Sequence, residues 1–422
     1  MVCSSKRLLL LVTASSYRTQ AFADVARALG VELVYGVDMP KKLGEFYRVP
    51  LALDFADVEC STADIVAAAQ KTPFYAILAV DDSGSLLAAQ ASVALGLAHN
   101  APEAALAARN KYRMREMLKA GGVPVPYFER VEVDGDLRAI AHEIDYPVVV
   151  KPLLLSGSRG VIRANNAQEF VEAGEWLRDY LRGLGGIGEG LVILVEEYLP
   201  GGEVALEGLL TEDQFHVLAL FDKPDPLIGP FFEETIYVTP SRLPDALQQA
   251  IAQRTKEAAV ALGLRRGPVH AELRFNERGV WLIEMAGRSI GGLCGSILEF
   301  GTSVCLEELI VRQAVDLPLP DLTRAHHAAG VMMIPIPKAG VLRRVTGIEP
   351  AQQLPNVTGV EITAPLDYPL TPLPEGDSYL GFIFARANTP AQAEHALRAA
   401  HAMLDFQIEE QIRVFVGSGI RI

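Results

Sequence analysis

Two runs of alternating residues, 269–275 and 280–285, flank Asn276-Glu277-Arg278-Gly279, a pattern that reads as a β-hairpin. A three-residue loop, Glu277-Arg278-Gly279, with its glycine in the left-handed region, pairs Asn276 with Val280. Glu272 then falls directly opposite Glu284. The other face carries Leu273, Phe275, Trp281 and Ile283 and reads as a core face. Like charges directly opposed on a sheet destabilise it. A hard cation such as Mg²⁺ between the two carboxylates would turn that conflict into a site. Two solvated carboxylates on an exposed face give the same pattern, so the hairpin alone leaves both readings open.

The chain has 422 residues, enough for two to four structural units with large cores. Half of them are hydrophobic, which marks a globular protein. A formal net charge of −14 argues against a nucleic-acid partner, which demands basic surface. A nucleotide is not excluded, since its phosphates need only a local basic pocket. Cys3, Cys60, Cys294 and Cys305 are scattered without CxxC spacing. They suggest a reduced, cytoplasmic compartment and no structural zinc. Lys6-Arg7 before the apolar run 8–12 mimics a short signal peptide. That run leads into a helix-like segment, 19–29, and a second apolar run, 31–35. A buried first strand of a β-α-β unit explains the whole better. No uninterrupted apolar stretch reaches the length of a membrane span.

Residues 1–105 alternate strand and helix patterns, with strands at 7–13, 31–36 and 75–80 and helices near 19–29, 61–70 and 83–95. This is a doubly wound α/β unit. It lacks GxGxxG after its first strand, so dinucleotide binding is unsupported there. Asp81-Asp82-Ser83, at a strand's carboxyl end, reads first as a helix N-cap and second as a ligand-facing edge. A helix at 107–120 stops at Gly121-Gly122. Strands follow at 146–151, 161–164, 191–197, 204–210 and 215–221, with a helix at 167–183. Residues 222–240 read as a long loop, of a length that is often functional. Helices are expected at 243–262 and 297–315. After a proline-rich linker, 325–422 reads as a small α+β unit with strands near 329–335, 358–363 and 380–387 and a helix at 390–403.

Four features line up in chain order. Lys111 is on or near a helix, and Lys151 ends a strand. Ser156-Gly157-Ser158-Arg159-Gly160 offers backbone N–H groups and hydroxyls, and the acidic hairpin closes the set. A nucleoside triphosphate needs cations for its phosphates, amides around the terminal phosphate and carboxylates for its metal. Each element alone is weak, and SGSRG also suits an ordinary turn. GxxxxGK[ST] is absent, so this is not a P-loop protein.

In this order and spacing the chain resembles the ATP-grasp enzymes. The matching stretches are NKYRMREMLKAGGVPVP, YPVVVKPLLLSGSRGV, VEEYLPGGE and HAELRFNERGVWLIEMAGRSIGG, which span residues 110–292. The resemblance implies an α/β and α+β architecture: an N-terminal α/β domain over 1–105, an ATP-grasp domain over 106–320 and a C-terminal α+β domain over 325–422. It implies ATP and Mg²⁺, with Mn²⁺ as a substitute. Lys111 and Lys151 would contact the phosphates. The loop with Ser156, Gly157, Ser158 and Gly160 would close over the β- and γ-phosphates. Glu196 would approach the adenine amino group, and the backbone from Glu197 to Leu199 would read the ring edge. Glu203 would bind the ribose hydroxyls, and Glu272 and Glu284 the metal. Arg288 would stabilise an acyl phosphate or bind a carboxylate, a task suited to its planar fork. Many family members carry Asn two residues after the second glutamate; here that position is Ala286.

His270 shares the face of Glu272 and is either a substrate contact or a hydrogen-bonded neighbour. EMAGRSIGG and the GVMMIPIPKAGVL opening of the last unit resemble the L-amino-acid ligases. That narrower resemblance implies ATP-dependent joining of amino acids through an acyl phosphate, with no nucleic acid or membrane involved and a homodimeric state. In the loop 222–240, Lys223 could then reach a phosphate and Glu233 or Glu234 an α-amino group. A carboxylase or purine-pathway ligase, and a non-catalytic nucleotide binder, are the alternatives. A ribose-phosphate substrate would demand more basic residues than these stretches offer.

Overall fold

A computed structural model describes residues 6–410 apart from 15, 212–213 and 377. Cys3 and residues 411–422 of the expected C-terminal unit lie outside the described residues.

The N-terminal apolar runs become parallel strands. Leu51–Leu53, Glu32–Asp38, Arg7–Thr13 and Ala76–Ala79 lie side by side in that order. Leu8 and Leu10 enter one core and Leu9 and Leu11 another, so the central strand is apolar on both faces. The short helix Lys41–Tyr47 and the strand Leu51–Leu53 carry too little periodicity to be expected from the sequence. Asp81 does stand at the N-cap position of the helix Asp82–Leu95, but its carboxylate does not cap. It accepts instead from the Thr13 hydroxyl at 3.1 Å. The expected helix at 107–120 is two helices, Pro102–Arg109 and Lys111–Ala120. The break is Asn110, whose Oδ1 accepts from the backbone N–H groups of Tyr112 and Arg113, a standard use of Asn at a helix start.

Two antiparallel sheets follow. The smaller has the order Phe128–Glu132, Val192–Glu197, Val148–Pro152, Ile162–Ala164. The helix Ala167–Gly183 buries Phe170, Leu177 and Leu181 against it. The larger has eight strands, in the order Gly279–Ala286, Gly267–Asn276, Gly202–Thr211, Gln214–Asp222, Ile236–Thr239, Ala328–Ile334, Gly381–Ala387, Val357–Ile362. Residues 222–240 are therefore not all loop. The β-branched stretch Ile236–Thr239 pairs with Gln214–Asp222 on one side and Ala328–Ile334 on the other. It stitches three of the last unit's strands into the central sheet, so no break in that sheet accompanies the proline-rich linker; Gly340–Thr346, Pro369–Leu370 and Asp405–Glu409 form a separate sheet. The expected helix at 297–315 is shortened to Leu306–Ala314. Ahead of it, Glu299–Phe300 and Val304–Cys305 form a two-stranded pair around Gly301, whose φ of +48° favours glycine.

Candidate active site

The hairpin brings Glu272 opposite Glu284, as its pattern implies, but by another route. Its loop has two residues, because Asn276 pairs with Gly279 and Phe275 with Val280. That register is one residue off the expected one. A bulge at Ile283 restores it, so that Leu273 faces Leu282 while Glu272 faces Glu284. The shorter loop also swaps the expected core residues of the second strand, while Leu273 and Phe275 keep the core side. Val280 and Leu282 join Leu273 in the core, whereas Trp281 does not and Ile283 turns to the cleft beside Glu284.

Cross-strand pairing then builds the site. His270, Glu272 and Arg274 share one face of Gly267–Asn276. On the neighbouring strand Glu207 stands opposite His270 and Glu203 opposite Arg274. The Arg274 Nε donates to Glu203 at 2.6 Å and its Nη1 to the Leu199 carbonyl at 2.7 Å. The Lys223 ammonium lies 2.8 Å from Glu203 and 3.6 Å from Glu272, and also pairs with Glu234. Burial works against that ammonium, but the three carboxylates outweigh it and hold it charged. Burial and the neighbouring Glu272 push the Glu234 carboxyl up to about 7. Burial likewise opposes charge on His270, but hydrogen bonds to Glu207 and Glu272 prevail and bring the imidazole to about 9.

The smaller sheet supplies the facing wall. Lys151 and Glu196 are only 5 % and 4 % exposed, so both are buried although each lies near the end of its strand. Glu196 pairs with both Lys151 and Arg115. Burial opposes its ionisation, yet those cations hold its carboxyl below the usual range. Arg115 also donates to the Ile283 carbonyl at 2.7 Å, which ties the helix Lys111–Ala120 to the bulge. Lys111 donates to the Leu155 carbonyl at 2.6 Å and sits 3.3 Å from Glu284.

Between these walls lies an open cleft. It gathers Lys111, Lys151, Glu203, Glu272 and Glu284, with Ser156, Gly157 and Ser158 from the glycine loop. Glu196, Glu197 and Leu199 line the same space. Gly160 does not line it: its N–H donates to the Pro374 carbonyl at 2.8 Å, and a Cβ there would come within 3 Å of Pro152 and Leu177. Lys223 lies behind the carboxylates rather than on the cleft surface, buried among its three partners. Glu197 stands at the rim, paired with Arg278 at 2.7 Å.

A second cavity of about 450 Å³ opens against the first, and Ser156, Gly157, Glu234 and Glu272 border both. His270 and Arg288 line this second space. Arg288 donates to Asp82 at 2.5 Å, so it joins the N-terminal sheet's carboxyl edge to the hairpin's exit. Burial works against its charge, and Asp82 and Glu284 outweigh that. Ala286 stands directly across the ladder from His270.

Sequence reasoning missed Arg115, Arg274 and Glu207. Two of the three left a signal. Arg115 lies one helical turn after Lys111, and Arg274 continues the alternation of His270 and Glu272. Glu207, fully buried in a strand of apolar residues, is legible only once its partner His270 is in place.

The residues fit a magnesium nucleotide. Glu272 and Glu284 offer only oxygen donors, as a hard cation requires, and each is held by a lysine, Lys223 and Lys111 respectively. Glu203, Glu234 and Glu272 also present oxygens within 4.8 Å of one another. The raised Glu234 shows that this carboxylate set is crowded with negative charge.

Residues 144–297 match the ATP-grasp domain model, and residues 332–409 match the L-amino acid ligase C-terminal domain 2. The chain is 30 % identical over 219 residues to the alanine–anticapsin ligase of Bacillus subtilis, a match that covers 48 % of this chain and 46 % of that protein. It is 26 % identical over 310 residues to an uncharacterized protein of Sinorhizobium fredii, of which it spans 63 %. The chain thus spans about half to two thirds of the length of these relatives. The L-amino acid ligase structure from Bacillus licheniformis superposes with a TM-score of 0.79 at 24 % identity, covering 96 % of this chain and 99 % of that one. Among the described residues no helix is long and apolar enough to cross a membrane. The two domain matches and the shared fold agree: residues 144–297 form an ATP-grasp domain and residues 332–409 an L-amino acid ligase C-terminal domain, within a fold like that of the L-amino acid ligase structure.

Proposed function

We propose that this protein is an ATP-dependent carboxylate–amine ligase that joins amino acids, releasing ADP and phosphate. The observation that carries this reading is the meeting of two cavities at Glu272 and the glycine loop. One has the lysines and carboxylates suited to a magnesium nucleotide. The other has Arg288 and His270 and, at about 450 Å³, the size of a small-molecule pocket, which usually encloses about 300–1,000 Å³.

Lys111, Lys151 and the amides of residues 156–158 would hold the phosphates, and Glu203 the ribose. Glu272 and Glu284 would hold Mg²⁺, which neutralises charge on the transferring phosphoryl group. A substrate carboxylate oxygen attacks the γ-phosphorus, and the bond from that phosphorus to the bridging oxygen breaks as ADP leaves. An amine then attacks the acyl carbon, and phosphate departs. No protein nucleophile is needed, so positioning and charge neutralisation supply the catalysis. Arg288 faces the negative charge that develops on the acyl end. The matched C-terminal domain favours amino acids over bicarbonate or a ribonucleotide as substrate.

The test is a screen for ADP release with Mg²⁺ and amino acids offered singly and in pairs. Release that depends on two amino acids, with the dipeptide detected by mass, is the expected result. Release with bicarbonate and none with any pair would overturn the reading.

A further inference from the structure

The segment that follows the hairpin, Arg288-Ser289-Ile290, has no regular secondary structure, yet Ser289 and Ile290 are buried. A buried irregular segment must find partners for its polar groups outside a helix or ladder. Here two buried charged side chains supply them. Arg18, 5 % exposed at the start of the first N-terminal helix, donates from Nη1 to the Ser289 hydroxyl at 2.6 Å and to the Ile290 carbonyl at 3.0 Å. Glu207, fully buried, accepts from the Ile290 N–H at 3.0 Å and meets the His270 Nδ1 at 3.2 Å. The Ser289 carbonyl accepts from Arg288 itself at 2.9 Å.

Arg18 is fixed in turn. Its Nε and Nη2 both donate to one oxygen of Glu307, at 3.0 and 2.7 Å, and its guanidinium lies 5.2 Å from the Phe22 ring. Glu307 sits in the first turn of the helix Leu306–Ala314. One guanidinium therefore joins the N-terminal unit, that helix and the chain beside Arg288. Only a planar fork can serve three such directions at once; a lysine ammonium is a single point of charge.

We propose that Arg18 is a positioning residue for the ligase reaction. It holds Ser289 and Ile290 so that Arg288 keeps its place in the lining of the second cavity, with Glu207 tying the same segment to His270. The inference rests on the proposed role of Arg288. It gives the N-terminal unit a part in the chemistry that neither nucleotide nor metal binding demands of it.

The experiment compares wild type, Arg18→Lys, Arg18→Met and the double variant Arg18→Met/Glu307→Leu. The double variant removes both buried charges and keeps the volume, so it is the one designed to fold even if Arg18→Met does not. Two readouts are taken: turnover per ADP-binding site, and backbone hydrogen exchange by mass spectrometry. In the double variant we expect turnover to fall about 100-fold, the loss typical of an ångström-scale misplacement. The KM for ATP should stay within about threefold, because Arg18 touches no residue of the nucleotide cleft. Exchange at residues 288–291 should rise at least about tenfold while residues 270–285 stay protected, with Arg18→Lys falling between. A double variant with wild-type turnover and unchanged exchange at 288–291 would overturn the proposal, as would equal losses in ATP KM and turnover. A wild-type protein inactive with every amino-acid pair would refute the ligase reading instead, and the exchange readout would still decide whether Arg18 holds the segment.

Discussion

Replacing Glu196 by Gln tests the buried charge cluster behind the cleft. In the folded protein this carboxylate lies between Lys151 and Arg115, and all three side chains are 5 % exposed or less. The substitution keeps the shape but leaves two cations facing a neutral amide. Removing one partner of a buried pair costs about 3–5 kcal/mol. Lys151 can relieve part of this by releasing its proton, since burial already pulls its pKa down despite Glu196. We therefore expect the lower end, about 3 kcal/mol at pH 7, against a typical total stability of about 5–15 kcal/mol. The pH dependence has a definite sign. In the variant, Lys151 has a folded-state pKa further below that of the unfolded chain, about 10.4. The penalty is then fullest just above about pH 5, where the wild-type Glu196 is ionised and Lys151 is charged, and shrinks as pH rises towards about 10. Urea unfolding in a Trp281→Phe background reads this directly, because Trp176 is then the only tryptophan left and packs on the smaller sheet's core. A loss below about 1 kcal/mol, the size of an exposed pair, would refute the reasoning. So would a loss that grows between about pH 5 and 10.

Glu284→Gln should reduce ADP release at least about 100-fold with an unchanged circular dichroism spectrum; near-wild-type turnover would exclude Glu284 as a metal ligand. Arg274→Lys cannot reach Glu203 and the Leu199 carbonyl together, and should raise the KM for ATP about tenfold with little change in kcat. In nucleotide-free protein, His270 at about 9 lies above the ~6.5 of free imidazole, so its contribution to stability is full below about pH 6.5 and is lost as pH rises through about 9. His270→Gln should flatten that part of the stability profile, and parallel profiles for variant and wild type would count against the Glu207–His270–Glu272 contact.

Local patterns carried much of the architecture. The unbroken apolar strand at 7–13, the hairpin and the helix at 167–183 each follow from the period of their own residues. What could not be read were features settled by distant partners. The hairpin's loop is shorter than expected, and a bulge at Ile283, whose carbonyl accepts from Arg115, brings Glu284 back opposite Glu272. No local rule places that bulge. Ile236–Thr239 was hidden by the prolines and acidic residues around it, and only its two neighbours make it a strand. In the site, lysines and glutamates stood out by type and order. Arg18 and Glu207 did not, because their partners are 271 and 63 positions away in the chain.

The unbroken eight-stranded sheet has a mechanical consequence. The hairpin with Glu272 and Glu284 and three strands of the C-terminal unit, Ala328–Ile334, Gly381–Ala387 and Val357–Ile362, share one sheet, which forms a continuous floor. The smaller sheet is a ladder of its own, joined to the floor by other contacts. The chain enters it just after Gly122 and leaves it at Gly201, both with positive φ, like the two pins of a hinge. At Gly201 a Cβ would strike the Phe275 carbonyl of the floor, so that pin admits no side chain. Opposite the pins, the Gly160 N–H and the Tyr180 hydroxyl fasten to the carbonyls of Pro374 and Glu375. Those two bonds are a clasp, and it lies on the C-terminal unit. Any swing of the smaller sheet away from the floor would have to undo it, so the opening of the cleft would answer to a segment far beyond the hairpin in the chain.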